Sequence, residues 1–451
     1  MKGKSRGRTD FLLCPDPSRL MPMTKLCIDG MNLSLPQGTG IRTYAQNLLR
    51  NAAAADISTQ VLFGADIPHS ASAIERAAIL ADPNSPAKPR TRADRLIRRA
   101  TRIKTRWGRS AQIAFSADKI IWPDGNLPPA SVVWHASNIF SDANRHFRST
   151  GELTNIKFAS VSSRPNIVHW TTPIPLHFSG GINICTLHDL IPLKAPYTTN
   201  HDRIDFSRLC RKVFNSVDKI IAISEISKMD AIELLDIPDH RITVIHQSVS
   251  PPKEILIRPI SAIQRDIETQ FNLEPDNYFL YFGAIEPKKN LLRTLEAALT
   301  SETNLTLVVV GHRGWSNDAE SYFLSSLTNQ RTSRVRHLDY LTETQLASLV
   351  RCARATVFPS IYEGFGLPAL ESLTLGTPVL ASATPALMEV CGKAACYANP
   401  LDVSSIRDAF TRLSRDLTYC AELRAAGLTQ AQKFSPEKYR QDLANLYKSL
   451  L

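Results

Sequence analysis

The stretch Phe358–Ser382, FPSIYEGFGLPALESLTLGTPVLAS, changes its local rules three times. The residues leading into it, ATVF, are continuously apolar, as in a strand buried on both faces. Pro359 closes that strand. IYEGFG then reads as a turn, because Gly364 and Gly366 permit close backbone approach and positive φ. LPALESLTLG reads as a helix, with Pro368 in its first turn and Gly376 as its stop. A strand, a glycine turn and a helix N-terminus in this order direct free N–H groups and a positive dipole end at one spot, an anion site. Two carboxylates eight residues apart flank it. Glu363, in the turn, is placed to accept hydrogen bonds from sugar hydroxyls. Glu371 is placed either to hold a ribose diol or to complement the helix dipole.

The same alternation runs through the chain. Strand candidates are KLCID (25–29), QVLF (60–63), SVVWHA (131–136), INICTLHD (182–189), KIIAIS (219–224) and RITVIH (241–246), then YFLYFG (278–283), LTLVVVG (305–311), RVRHLDY (334–340), ATVFPS (355–360) and PVLAS (378–382). Amphipathic segments such as KNLLRTLEAALT and ETQLASLVRCA separate them. Continuously apolar strands with intervening helices predict α/β architecture with parallel sheets covered on both faces. At 451 residues the chain is too long for one ordinary core. The proline-rich segment 248–262 reads as a linker between two Rossmann-like domains facing across a cleft. The expected divisions are a basic tail 1–23, a first domain 24–250 with an insertion at about 64–130, a second domain 251–433, and a closing helix 434–451 that crosses back to the first domain.

Composition places the chain among globular proteins, with 43% hydrophobic and 21% charged residues. No run approaches the ~18 apolar residues of a membrane span. The apolar run FLLC after the basic N-terminus is too short for a secretory signal, and a start at Met21 or Met23 is also compatible with the sequence. The eight cysteines form no C-x-x-C pair. They read as reduced, buried thiols of a cytoplasmic protein. Net charge is +11, and Lys88–Arg109 holds ten Lys/Arg against the single acid Asp94. That segment reads either as a solvated insertion or, with Leu96, Ile103 and Trp107 near helical spacing, as a helix lying on an anionic membrane face. No groove-reading or base-stacking motif accompanies it, which argues against nucleic acid.

Four further motifs carry chemistry. In YFGAIEPKKNLLRTLEA (281–297) a strand ends at Gly283, and Lys288 and Lys289 precede a helix opened by Asn290. This is either a surface lysine pair or a site that neutralises a diphosphate. In CTLHDLIPLKAP (185–196) an apolar strand delivers His188 and Asp189 to its carboxyl end, where a ligand cleft is expected. In IDGMNLSLPQGTGIRTYAQNLL (28–49) Gly38, Thr39 and Gly40 precede a helix carrying Arg42 and Tyr44. A Gly-x-Gly alone is also the mark of a plain βα turn. In HLDYLTETQLASLVRCA (337–353) Tyr340 and Leu341 either pack on a base or belong to the core. IAISEISKMDAIELLDIPDHRITVI (221–245) reads as a strand, a Ser-capped helix and a strand.

Taken together, PSxYEGFGLPALE with GTPVLAS in register resembles the donor-site signature of retaining glycosyltransferases of the GT-B fold, the family 4 group, and HDLIPL and EPKKN resemble its bacterial mannosyltransferases. The likeness runs from about Lys25 to Tyr439, leaving 64–130 unmatched. It implies that the second domain binds a nucleotide diphosphate sugar and the first an acceptor. It implies catalytic roles for Glu363, Lys289 and His188, with Glu363 on the transferred sugar and Lys289 on the diphosphate. It implies donor contacts from Gly364, Phe365, Gly366 and Leu367, from Glu371 on the ribose, and from Gly283, Lys288, Tyr340 and Leu341. Gly38, Thr39, Gly40 and Arg42 form the phosphate and acceptor loop, with Asp189 structural or on the acceptor side. Many relatives carry Arg directly after the first glycine of the lysine loop. Here it is Ala284, so Lys288, Arg42 or Arg293 compensates or Lys289 carries more of the load. Asp202-Arg203-Ile204-Asp205 lacks D-x-D spacing, so no metal and no cofactor are expected. The implied reaction moves a hexose from GDP-mannose first, with dTDP-rhamnose, GDP-fucose or a UDP-hexose as alternatives. The acceptor is a saccharide or lipid-linked saccharide of surface polysaccharide or O-antigen assembly. The expected location is the cytoplasm, peripheral on the inner membrane face through 88–109. A non-catalytic nucleotide-sugar binder and a GT-B-type epimerase remain as alternatives.

Overall fold

A computed structural model describes residues 24–33, 40–67, 75, 79–80, 105–116, 130–199, 202–311, 318–328, 334–339 and 341–451. Two sheets organise them. The first contains β1 (Lys25–Asp29), β2 (Ser58–Phe63), β3 (Arg109–Ser116), β4 (Val132–His135), β5 (Thr154–Phe158), β6 (Ile167–Trp170), β7 (Leu176–Phe178), β8 (Ile182–Leu187), β9 (Lys219–Ala222) and β10 (Ile242–Val244). Its order is β10-β9-β8-β6-β1-β2-β4-β3-β5-β7. The second contains β11 (Tyr278–Phe282), β12 (Thr306–Val310), β13 (Val335–Leu338), β14 (Ala355–Phe358), β15 (Val379–Ser382) and β16 (Ala395–Ala398). Its order is β13-β12-β11-β14-β15-β16, with every neighbouring pair parallel.

Counted within its own lobe, the second sheet runs 3-2-1-4-5-6, the order of a doubly wound dinucleotide-type fold. Strand order reverses between β11 and β14, which pair directly through Leu280 and Thr356. The two loops leaving these strands therefore diverge and open a crevice. In the first sheet the reversal falls between β1 and β6, which pair through Cys27 and Val168. These strands read as nearly unbroken apolar runs because both faces are covered: every residue of β11 and β14 is buried.

Three expectations need correction. The segment 64–130 is not simply an insertion, because β3 lies within it and joins the sheet, antiparallel to β4. The expectation of purely parallel sheets fails at that strand. It was hidden because RSAQIAFS mixes polar and apolar residues without a regular period, leaves Ile113 41% exposed, and overlaps the end of the basic run. Strand β5 alternates buried and exposed residues, and β7 has only three residues, too short for a periodicity. The segment 248–262, read as a linker without periodicity, is in part helical: helices occupy Lys253–Ile257 and Ile260–Phe271, with Ile255, Ile263 and Ile267 fully buried. Pro252 and Pro259 stand immediately before them, where a missing N–H costs nothing.

The final helix, Pro436–Ser449, starts at the N-cap Ser435 and packs on helix Gly40–Ala53 of the first lobe. Its Tyr447 is fully buried, with its hydroxyl 2.7 Å from His169 Nδ1. The seven described cysteines are free and buried. Among the described residues no helix is long and apolar enough to cross a membrane.

Candidate active site

The crevice between β11 and β14 is built by two loops stitched to each other. After β11, Gly283 takes φ 133°, a conformation that favours glycine, and the chain makes one tight turn over Pro287–Lys289. Asn290 follows in the left-handed region at φ 63° and is 3% exposed. Its amide donates to the carbonyls of Pro359 (2.9 Å) and Pro400 (2.7 Å). The Ile361 N–H donates to the Lys288 carbonyl at 2.8 Å. These bonds bring together residues 74 positions apart in the chain: Lys289 Nζ lies 2.5 Å from Glu363 Oε1.

The pair is largely sheltered, with side-chain exposures of 19% for Lys289 and 11% for Glu363. Burial works to raise the Glu363 pKa. The charges of Lys289 and Lys288, with hydrogen bonds from Lys289 and Ser360, outweigh it and hold the carboxyl below its ordinary value. Lys288 is 3.4 Å from Glu286. Burial works to lower its pKa, and Asp189, Glu286 and Glu363 overcome that and raise it. Both groups are thus charged at neutral pH: Lys289 pairs with Glu363 directly, and Lys288, paired with Glu286, adds a second positive charge beside the helix start. Arg293 is spent locally, donating to Asn290 Oδ1 at 3.0 Å.

Past Glu363 the turn divides its tasks. A side chain at Gly364 would overlap the His188 carbonyl of the opposite lobe. Phe365 is 2% exposed and its ring packs edge-on to Phe434, so only its backbone faces outward. Gly366 is the N-cap of helix Leu367–Thr374 at φ 111°. Glu371, half-buried in that helix, has its pKa raised to about 7 by burial and by the nearby Glu343 carboxylate. Leu341 is half-buried against the core. Tyr340 lies outside the described residues.

Across the crevice the first lobe offers the ends of β1, β6 and β8. His188 Nε2 is 2.7 Å from the Thr171 carbonyl. A carbonyl only accepts, so Nε2 carries the proton and Nδ1 keeps its lone pair. Burial lowers the pKa of this ring, against the Thr171 bond and the Asp189 charge, which raise it. Tyr44 meets the ring edge-on at 4.8 Å. The Asp189 carboxylate accepts from the Ile191 N–H at 3.1 Å, starting the short helix Ile191–Lys194. Gly40 begins helix Gly40–Ala53 and is exposed, and Arg42 is half-buried in its first turn. Gly38 and Thr39 lie outside the described residues. Sequence reasoning missed the anchoring roles of Asn290 and Thr171. A polar residue wedged between KK and a leucine helix start was the available sign for Asn290; Thr171 left none.

Outside the crevice, Asp202 caps helix Arg203–Ser216 by accepting from the Ile204 and Asp205 N–H groups. A cavity of about 790 Å³ beside that helix is lined by basic residues. Arg211 there donates to the Leu234 and Leu235 carbonyls, and Lys212 pairs with Glu152. The basic run 88–109 lies mostly outside the described residues. Its last member, Arg109, is not surface charge, because its guanidinium is 8% exposed and paired with buried Asp142 at 3.1 Å. Trp107 is 71% exposed, with Arg106 over its ring.

Residues 119–251 match the Glycosyltransferase Family 4 family and residues 263–434 the Glycosyl transferases group 1 family. The O-antigen chain mannosyltransferase B of Escherichia coli is 32% identical over 59% of this chain and 70% of its own length. The serotype-specific mannosyltransferase WbdA of Escherichia coli is 30% identical over 66% of this chain, which spans only 39% of that protein. Among solved structures, sucrose-phosphate synthase from Thermosynechococcus elongatus superposes with a TM-score of 0.65 at 16% identity, over 95% of this chain and 99% of that one, a likeness of fold. With two doubly wound lobes, the glycine turn and lysine loop meeting at the second lobe's switch point and the His-Asp loop abutting them from the first, the chain belongs to the family 4 glycosyltransferases of the GT-B fold.

Proposed function

We propose that this glycosyltransferase moves mannose from GDP-mannose, with retention at the anomeric carbon, onto a saccharide or lipid-linked saccharide of an O-antigen-type polysaccharide. The observation that carries the reading is the meeting of Lys289, Lys288 and Glu363 at the β11/β14 switch point. The identity to two mannosyltransferases supports the sugar.

As the glycosidic bond breaks, negative charge develops on the departing diphosphate. Lys289, Lys288 and the amides of the glycine turn neutralise it, in place of a metal ion. Donor binding opens the Lys289–Glu363 pair: the ammonium turns to the diphosphate and the carboxylate to sugar hydroxyls. Glu371 accepts from the ribose diol. The unprotonated Nδ1 of His188 accepts a hydrogen bond from a hydroxyl of the transferred sugar, and the departing phosphate takes the acceptor's proton on the same face. Asp189, Gly40 and Arg42 line the acceptor side, and closure of the lobes excludes water. The basic residues of 88–108 hold the enzyme to an anionic membrane bearing the acceptor.

A panel of GDP-mannose, dTDP-rhamnose, GDP-fucose and UDP-hexoses tests the donor by thermal shift and by transfer in excess EDTA, with the product anomer read by NMR. Stabilisation and α-linked product with GDP-mannose are expected. Transfer only from a UDP sugar, inverted product, or loss of activity in EDTA overturns the corresponding part.

A further inference from the structure

The segment Ile221–Ile245 reads from sequence as no more than a capped helix between two strands. In the structure its helix, Glu225–Leu235, begins with two buried serines that reach both halves of the site. Ser224 Oγ accepts from the Ser227 N–H at 3.1 Å and donates to the Gly364 carbonyl at 2.6 Å. Ser227 Oγ donates to the His188 carbonyl at 2.8 Å. A hydroxyl carries one proton, so the two serines serve one carbonyl each. Gly364 follows Glu363 in the donor turn, and His188 carries the acceptor-side ring. The two carbonyl-bearing segments are in contact, since a Cβ on Gly364 would overlap the His188 oxygen.

The same helix is fastened to the second lobe at three further points. The Glu389 carboxylate accepts from the Glu225 N–H at 2.9 Å and lies 2.6 Å from His246 Nε2. It also lies 3.4 Å from the Ile226 N–H. The Tyr362 hydroxyl donates to Asp230 Oδ2, and Asp230 is held by Lys194 at 2.7 Å. One helix of the first lobe thus grips the residues on both sides of Glu363.

We propose that Ser224 and Ser227 are positioning residues for glycosyl transfer: their hydroxyls set the register between the Glu363 turn and the His188 loop when the lobes close. This rests on the glycosyltransferase reading of the crevice. Neither serine contacts the donor in this reading, because both hydroxyls are engaged by the Gly364 and His188 carbonyls. Their loss therefore lowers turnover and admits water, and leaves donor affinity in place.

The test compares wild type with Ser224→Ala/Ser227→Ala and with Ser227→Ala alone, which keeps the Ser224 cap if the double variant fails to fold. GDP-mannose consumption is split into transfer and hydrolysis. Donor KM should stay within about twofold while kcat for transfer falls about tenfold. The hydrolysed fraction should rise. Hydrogen exchange over residues 361–366 should accelerate in the folded variants, a readout that needs no turnover. Wild-type partition and unchanged exchange overturn the proposal. If wild type consumes no nucleotide sugar, the functional reading fails, and the exchange result alone decides the register claim.

Discussion

Replacing Glu371 by Gln separates stability from function in a way that pH reveals. Its carboxyl is moved from an ordinary 4.5 to about 7 by burial and by Glu343. The folded protein therefore keeps this proton to higher pH than the unfolded chain does. Between these values stability falls as pH rises, and above about 7 the carboxylate sits where folding disfavours it. At ~1.4 kcal/mol per tenfold change in proton affinity, the full penalty is about 3 kcal/mol, absent below the unfolded value. Glu371→Gln carries no charge and escapes it. Urea unfolding of the ligand-free protein should show the variant about 2–3 kcal/mol more stable than wild type at pH 8 and nearly equal at pH 4.5. GDP should reverse the order at pH 8, because a ribose diol donates to the carboxylate and rewards the wild type by mass action. A stability difference that does not change with pH, or equal stabilisation of both proteins by GDP, refutes the reasoning. Glu343→Gln should reproduce only the smaller, electrostatic part.

Three other substitutions address the remaining links. Lys289→Ala should lower transfer by about 10²–10³ in kcat, as loss of one oxyanion donor typically does, in a steady-state assay. The same change removes the nearest charge holding the Glu363 carboxyl low, so NMR titration should find that pKa raised relative to wild type. Asn290→Ala strands the buried carbonyl of Pro359 and the partly buried one of Pro400, and puts alanine, which adopts the left-handed region less readily than asparagine, at φ 63°. A loss of about 3 kcal/mol by urea unfolding is expected. Arg109→Ala leaves buried Asp142 with its more exposed partner Arg145 alone and should cost about 1–3 kcal/mol, whereas neutralising the other cations of 88–108 should spare stability and weaken binding to anionic vesicles.

Much of the site was legible because its parts obey local rules. The run Ala355–Gly376 carries a buried strand, a turn needing glycine and a proline-started helix within one window, and the structure forms them as read. Central strands β1, β11 and β14 stood out because burial on both faces demands unbroken apolar residues. The edge strand β7, its neighbour β5 and the antiparallel β3 did not, since a mixed or alternating pattern or three residues leave a weak trace.

Chemistry-bearing residue types and their nearest neighbours along the chain are thus written locally. Which of them meet is not. Strand order 3-2-1-4-5-6 arises from sheet pairing over long separations, and it alone puts the lysine loop beside the glycine turn. Only then can Asn290 hold Pro359, Lys289 bind Glu363, and Glu343 press on Glu371. The opposing lobe adds Ser224 and Ser227, whose hydroxyl partners lie 140 and 39 residues away. Hydrogen bonds and charges act through space at a few ångströms, so such pairings exist only once packing has closed the distance.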